Sequence, residues 1–591
     1  MRLALGFGVA LAATAAGAQA PAEPRYALAV ASFAPVDSDV FVADADGSHA
    51  APFLPSPALD YSASFSRDGR WIVFTSTRGG DADVYRARVD GSQLEQLTRD
   101  PAFDDQGALS PDGKALAFVS SRGGTADVWT LDLASGALRN LTNAPGGDFR
   151  PAWSPDGRWI AFSSDRDSLN PKFTFATVHS TELYVMRADG SEQRRLTRRN
   201  AYAGSPVWLP DGRELVYYQA AVDEVQKIRS PLRLRATTQL ATIDVATGAG
   251  VELTSGPGEK WSPHALAGDR VAFVSGGPDG GVEFLRPARA GARGEFRSPS
   301  WSPDGARMVF NRDVESEQWP PVRAWPSGDA RFRLVRAGVF TTASPTGALV
   351  MSDQKAASLH NSVLLVDAAG AARRTVFGDP DRNALAPAFS PRGDRIAFGV
   401  GRFFQNVQGV APADIAVLTV DGADVQVLTD GAANYGFPDW SPDGKQVVYR
   451  LASAERNGLF IVDVATRAVR TLVDGKAHVN FPKWSPKGDR IAFTADIDGD
   501  YELYTLKPDG TDLKRVTRAP GNDAHNAWSP DGEWIAFTSA RGGFKDESAL
   551  YPYNPQPYGD IYVVRPDGSD VTMLTNDQFE DGTPSFIPPP R

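Results

Sequence analysis

Two histidines open the search for chemistry. His478 lies in "GKAHVNF" and His525 in "GNDAHN", at comparable places in successive repeats, with Asp523 beside the second and Glu580 in the later "FEDG". An imidazole near a carboxylate is the minimal equipment for general acid–base work. The same residues serve equally as hydrogen bonders between strands. No H-x-H or H-E-x-x-H accompanies them, so neither a metal nor another cofactor is expected. A second group sits in long interruptions: His179 in "NPKFTFATVHST", Arg229 and Arg233 in "AVDEVQKIRSPLRLRATT", and Lys545, Tyr551, Tyr553 and Tyr558 in "FKDESALYPYNPQPYG". Aromatic platforms with a few polar groups suit a cleft for a glycan or peptide. Long surface loops are also simply tolerated. The basic loop in an acidic chain fits an acidic ligand such as a uronic-acid glycan.

The elements that must position these residues repeat. "SPDG" and its variants start at Ser66, Ser110, Ser154, Leu209, Ser262, Ser302, Ser344, Ser390, Ser441, Ser485 and Ser529, and "PSFIP" at Pro584–Pro588 gives a twelfth trace. Each unit reads as four strands. In the unit at Pro151, "PAWS" is a first strand, "PDGR" a tight turn, "WIAFSS" an apolar second strand, "ELYVMRA" an alternating third, and "QRRLT" an edge strand. Four strands at a period of about 45 residues means a propeller blade. The fold class is therefore all-β, a propeller of about twelve four-stranded blades. Two six-bladed rings are preferred to one oversized ring, because single rings hold about 4–8 blades.

Aromatics before the turns, such as Trp153, Trp208, Trp261, Trp301 and Trp528, read as wedges between blades. "YALAVASF" and "DVFVADADG" read as second and third strands of one N-terminal blade, which the C-terminal strand at 584–588 completes. The first set of blades is expected over 21–298 and the second over 299–591, with "RPARAGARGEFRS" a candidate crossover. Loops between second and third strands, and those between blades, fall on one variable face that holds all the candidate residues. "DADGS" and "DIDGD" are hairpin turns, since an EF-hand loop needs flanking helices and a Glu at its twelfth position.

Composition narrows the classes. A net charge of −11 argues against nucleic acid. The absence of Cys excludes disulfides, thiolate metal sites and a Cys nucleophile. "MRLALGFGVALAATAAGAQA" has a positive start, an apolar run and a small-x-small site ending at Ala20, and so reads as a signal peptide. No later stretch approaches the ~20 apolar residues of a membrane span. A periplasmic or secreted protein is expected.

The pattern "WSPDGxxIAFxSxRxG…IYVxxxDG…LT", carried by Trp528–Thr575 apart from its interruption, resembles the β-propeller repeats of the TolB family. "NDAHNAWSPDGEW", "QPYGDIYVV" and "LTNDQFEDGTPSF" are similar to a TolB-related family of bacteria and plants, itself likened to the N-terminal domain of dipeptidyl-peptidase-like proteins. TolB proteins carry an α/β domain ahead of the propeller, whereas strands here are expected within a few residues of the cleavage site. The chain has no G-x-S-x-G elbow, so the resemblance does not imply peptidase activity. Two readings follow. One is an exported propeller that binds an envelope protein or an acidic glycan on its loop-rich face without catalysis. The other is a polysaccharide lyase or glycoside hydrolase using the same face. Deleting Phe544–Tyr558 is expected to abolish binding and leave the fold intact.

Overall fold

The computed structural model describes residues 24–589 apart from 169–178, 199–200, 229–235, 269, 278, 315–321, 354–361, 368–371, 402–411, 454 and 548–558. The expected signal peptide, Arg229, Arg233, Tyr551, Tyr553 and Tyr558 lie outside the described residues. Among the described residues every regular element is a strand except for one α-helix, Val222–Ile228.

The repeat motif builds its own turn. Ser154 donates from Oγ to Asp156 Oδ1 (2.6 Å) and accepts from the Trp159 amide (2.9 Å), while Gly157 takes a φ of 70°. That left-handed value is open to glycine without strain. The same Ser–Asp bond recurs at Ser66–Asp68, Ser110–Asp112, Ser441–Asp443 and Ser529–Asp531. The second strand that follows, Trp159–Ser164, is buried along nearly its whole length because sheets pack on both of its faces. The wedge reading holds at Trp153, Trp208 and Trp528, whose indoles donate to first-strand carbonyls of the preceding sheet, those of Ala108, Ala152 and Lys483.

One repeat is out of register with the motif. Leu266 N bonds the Arg270 carbonyl (2.9 Å) as Ser154 N bonds that of Trp159, so the turn begins at Leu266. Ser262 lies inside the first strand Lys260–Ala265, and Ala265 rather than Trp261 precedes the turn. "SPHA" copies the motif's first two letters but not its turn, because it lacks the Asp and Gly that close it.

The described strands form ten four-stranded sheets and one eight-stranded sheet, the latter two sets of four joined at the single bridge Ala413↔Asn434. The first strands pack side by side in two closed circuits. One circuit runs Asp60–Phe65, Asp104–Leu109, Asp148–Trp153, Tyr202–Trp208, Lys260–Ala265 and Arg297–Trp301. The other runs Val339–Ala343, Asn383–Phe389, Asn434–Trp440, Val479–Trp484, Asp523–Trp528 and Asp581–Ile587.

Each circuit closes through a composite sheet, which leaves no innermost edge free. In the second, Asp581–Ile587 pairs antiparallel with Tyr26–Ser32, which pairs parallel with Phe332–Ala337 and then Arg323–Trp325. In the first, Arg297–Trp301 and Arg307–Val314 pair with Asp37–Asp44 and Ala51–Pro52. The two N-terminal strands are therefore not neighbours in one blade. They belong to different circuits, and the chain crosses between them at 33–36. The boundary expected at 298/299 falls inside the strand Arg297–Trp301. "RPARAGARGEFRS" is no crossover either: Arg289–Arg293 is an edge strand on Gly281–Leu285. Alternating apolar strands carry no mark of which neighbour they join, so the sequence reading assigned both to the nearest partner.

Candidate functional site

One position organises each circuit. Every first strand carries a bulge, and the residue four places before the turn serine, or its equivalent, has a positive φ. In the first circuit these are Ser62, Gln106, Arg150, Ser205, Ser262 and Ser298; in the second, Phe340, Ala386, Phe437, Phe481, His525 and Thr583. A positive φ on a bulky residue normally marks local strain worth about 1–3 kcal/mol. Here it recurs in every sheet, so the architecture imposes it, and it converges twelve side chains on two axes.

The second axis is aromatic. Phe437 and Phe481 have centroids 4.5 Å apart, Phe481 and His525 4.2 Å, and Phe340 lies 5.6 Å from both Phe437 and His525. This cluster leaves a cavity of only about 40 Å³. Burial pushes the His525 imidazole down to about 3, so it is neutral and its Nδ1 pairs with Thr538 Oγ1 (3.1 Å). His478 is not its equivalent. His478 precedes the strand Val479–Trp484, is exposed, and bonds Asp496 through Nδ1 (2.9 Å). The residue matching His525 in that sheet is Phe481. The two histidines therefore do not meet.

The first axis is polar and filled by the chain itself. Phe544–Glu547, the start of the interruption after the strand Ile535–Ser539 of the second circuit, enters it. Phe544 packs on Phe103, Val119 and Phe149 and meets the His179 ring at 5.7 Å. Lys545 Nζ bonds both carboxylate oxygens of Asp560 at 2.8 Å. Arg150 grips Asp546 bidentately, through Nε at 2.8 Å and through Nη2. Glu547, fully buried, accepts from Ser163 Oγ (2.6 Å), Ser205 N (2.5 Å) and Ser205 Oγ (2.9 Å). Gly204 makes room for it: a Cβ there would stand 2.5 Å from Glu547 Cδ. Gln106 joins the arrangement, donating to the Lys545 carbonyl and accepting from Arg150 N. These four residues latch one circuit to the other.

Lys545 is thus a structural ion-pair partner, and the expectation that the interruption could be removed without cost to the fold is corrected for its first four residues. Asp523 is structural as well. It pairs with Arg541 (2.7 Å), as Asp60 does with Arg78, Asp104 with Arg122 and Asp148 with Arg166. In all four the Arg closes an F-x-S-x-R motif, bonding its Ser and lying over its Phe. Burial raises Asp523, Asp104 and Asp148 alike to about 6, so the value at Asp523 reflects the repeat. His179 is buried against Asp165 (3.1 Å). Glu580 is buried and its carbonyl accepts from Phe33 N (2.9 Å).

A cleft of about 590 Å³ opens between the circuits. One wall comes from the first circuit: Pro57–Leu59, Thr77, Arg78, Gly80–Ala82 and Pro101. The other comes from the second: Arg323–Pro326, Gly328, Met573–Asp577 and Phe579. Trp325 and Phe579 supply aromatic surface, and Arg78, Arg323, Asp81 and Asp577 supply charge. None of these was singled out in the sequence. Trp325 departs from the wedge pattern, which is the one signal that could have found it. Among the described residues no group of three or more potential metal ligands converges, and no helix is long and apolar enough to cross a membrane.

Residues 403–554 match the TolB beta propeller domain family, and residues 87–280 match the tricorn protease N-terminal beta propeller domain. The chain carries TolB-type β-propeller repeats. Its repeats are 27% identical, over 162 residues, to an uncharacterised protein of Agrobacterium fabrum; the match spans 24% of this chain and 50% of that one. A putative TolB from Agrobacterium tumefaciens aligns over 47% of this chain and 99% of its own at 21% identity and a TM-score of 0.38. TolB from Acinetobacter baumannii aligns over 82% of each at 13% identity and a TM-score of 0.30. The tricorn protease aligns over 89% of this chain and 63% of its own at 11% identity and a TM-score of 0.29.

Proposed function

We propose that this TolB-like chain is an exported, non-catalytic binding protein of two six-bladed propellers, and that it holds a protein segment or a glycan in the cleft between them. The cleft carries this reading. It is an open volume of ligand size, while one axis offers about 40 Å³ and the other holds Asp546 and Glu547. Pockets that combine aromatic walls with a few charged groups are the usual form of such sites. The latch fixes the separation of the walls, so the site is preformed and little binding energy goes into closing it. The residues first nominated for acid–base chemistry, Asp523 and His525, are engaged elsewhere in the fold, which favours binding over turnover. The apolar, positively led N-terminal segment supports export.

The test is a panel of acidic and neutral glycans and peptides, scored for both binding and product release with the native chain and with Trp325→Ala. Loss of an aromatic platform is worth about 0.5–1.5 kcal/mol, so binding should weaken up to roughly tenfold with no product formed. Product release would overturn the non-catalytic reading. Unchanged binding by Trp325→Ala would overturn the site.

A further inference from the structure

The composite sheet that closes the second circuit ends in a free strand edge at the cleft. Its order is Arg323–Trp325, Phe332–Ala337, Tyr26–Ser32, Asp581–Ile587, so Arg323–Trp325 has a neighbour on one side only. The direction of its backbone groups follows from the strand beside it. Tyr26 N bonds the Arg331 carbonyl (3.0 Å). Successive residues of a strand turn their N–H and C=O groups to opposite sides. The odd-numbered residues of Phe332–Ala337 are therefore committed to Tyr26–Ser32, and the even-numbered ones face the other way. Leu334 and Arg336 stand opposite Trp325 and Arg323. Those two pairs exchange hydrogen bonds, which leaves the N–H and C=O of Ala324 pointing out of the sheet. Ala324 is exposed and lines the cleft with Arg323, Trp325 and Pro326. Among the described residues no backbone group meets it on that side.

Outer strands elsewhere carry a deterrent. Glu95–Gln96, Arg194–Arg195 and Lys514–Arg515 bear charged side chains, and charge on an edge discourages pairing with another chain. At the cleft the outward-facing residue is an alanine. This edge also continues the junction between the circuits: Arg323 bonds the Val36 carbonyl of the crossover (3.2 Å), and Trp325 packs on the cluster of Ala34, Leu59 and Tyr61. A donor and an acceptor on one extended residue match the main chain of another extended segment, whose opposing residue returns both bonds. We infer that the cleft receives an extended peptide segment of a partner protein, which adds to Arg323–Trp325 as a further strand of the closing sheet. This rests on the cleft being the binding site. Pro326 has no N–H and ends the ladder, so main-chain bonding centres on Ala324. Leu59, Met573 and Phe579 of the lining are left to meet the peptide's side chains. A glycan has no main-chain amide with which to answer Ala324.

Ala324→Pro removes the outward N–H, and proline is tolerated on an edge strand whose N–H side faces solvent. The variant should melt like the native chain. Phage-displayed random hexapeptides selected on the native chain supply the probes. Synthesised with blocked ends, they should bind Ala324→Pro about tenfold more weakly or worse, and Ala324→Ser as well as the native chain. Amide exchange reads the same edge without a variant. In the free chain the Ala324 amide should exchange faster than those of Arg323 and Trp325, and bound peptide should slow it about tenfold or more. An Ala324 amide already protected in the free chain overturns the edge direction and the inference with it. If Ala324→Pro melts lower, the exchange readout decides alone. Peptides that bind Ala324→Pro undiminished, or that leave Ala324 exchange unchanged, overturn strand addition and leave the cleft reading to the Trp325→Ala test. Selection of no peptide overturns the inference as well, and a glycan bound through Trp325 would then preserve the cleft without it.

Discussion

Replacing Arg150 by Met tests the latch. The substitution keeps most of the side chain's length and apolar stem but removes the guanidinium that holds Asp546 through two charge-assisted bonds and faces Glu547. Both carboxyls are nearly or wholly inaccessible, so water cannot replace the lost partner. Removing one member of a buried pair typically costs about 3–5 kcal/mol. Arg150 also bonds Ser298 at the limit of range (3.5 Å), which adds little. The loss should depend on pH. Burial already raises the Glu547 carboxyl, and Arg150 is the largest opposing influence. Without Arg150 its folded-state pKa rises further. A carboxyl raised in the folded state gives stability that is present below its unfolded value, about 4.3, and lost as pH rises through the folded value. Urea unfolding should therefore show Arg150→Met as more damaging at pH 8 than at pH 5. In a double-mutant cycle, Arg150→Met with Asp546→Asn should be less destabilising than the sum of the singles by about 1–3 kcal/mol. Additive effects, or a single-mutant cost under about 0.5 kcal/mol at both pH values, would refute the account of the latch.

The remaining predictions concern the axes. His525 is held neutral with a pKa of about 3, while an unfolded histidine titrates near 6.5. A base depressed in this way gives stability present above the unfolded value and lost as pH falls. Between pH 6.5 and 4.5 the native chain should lose about 2 kcal/mol relative to His525→Phe, which places there the Phe found at 481; parallel pH profiles of unfolding for the two proteins would contradict this. Gly204→Ala should destabilise by about 1–3 kcal/mol, because its Cβ would collide with the Glu547 carboxyl. The combination with Glu547→Ala should recover part of that loss in a thermal melt.

How much was legible from the sequence follows the range of the forces. The turn chemistry of Ser154, Asp156 and Gly157 is closed within six residues, so spacing alone revealed strand, turn and period, and hence an all-β propeller. The bulge position was legible in principle, since Arg150, Phe481 and His525 all stand four places before the turn. Reading the two inter-blade loops as equivalent instead paired His478 with His525, although His478 stands seven places before its turn serine and His525 four. Leu266 was missed because the motif's letters at Ser262 outweighed the missing turn residues.

Tertiary structure decided the rest. Which circuit Tyr26–Ser32 joins depends on partners more than 300 residues away, and an apolar alternating strand fits any edge of the same register. "FKDE" looked like the base of an exposed loop because charged residues usually face water. It is buried instead because Gln106, Arg150, Ser163 and Ser205, distant in sequence, and Asp560, on the next strand, supply it with charge and hydrogen bonds. The cleft belongs to neither circuit alone: its walls come from separate stretches of chain, brought face to face by the latch together with contacts such as Ser121 with Asn576 and Tyr61 with Phe579.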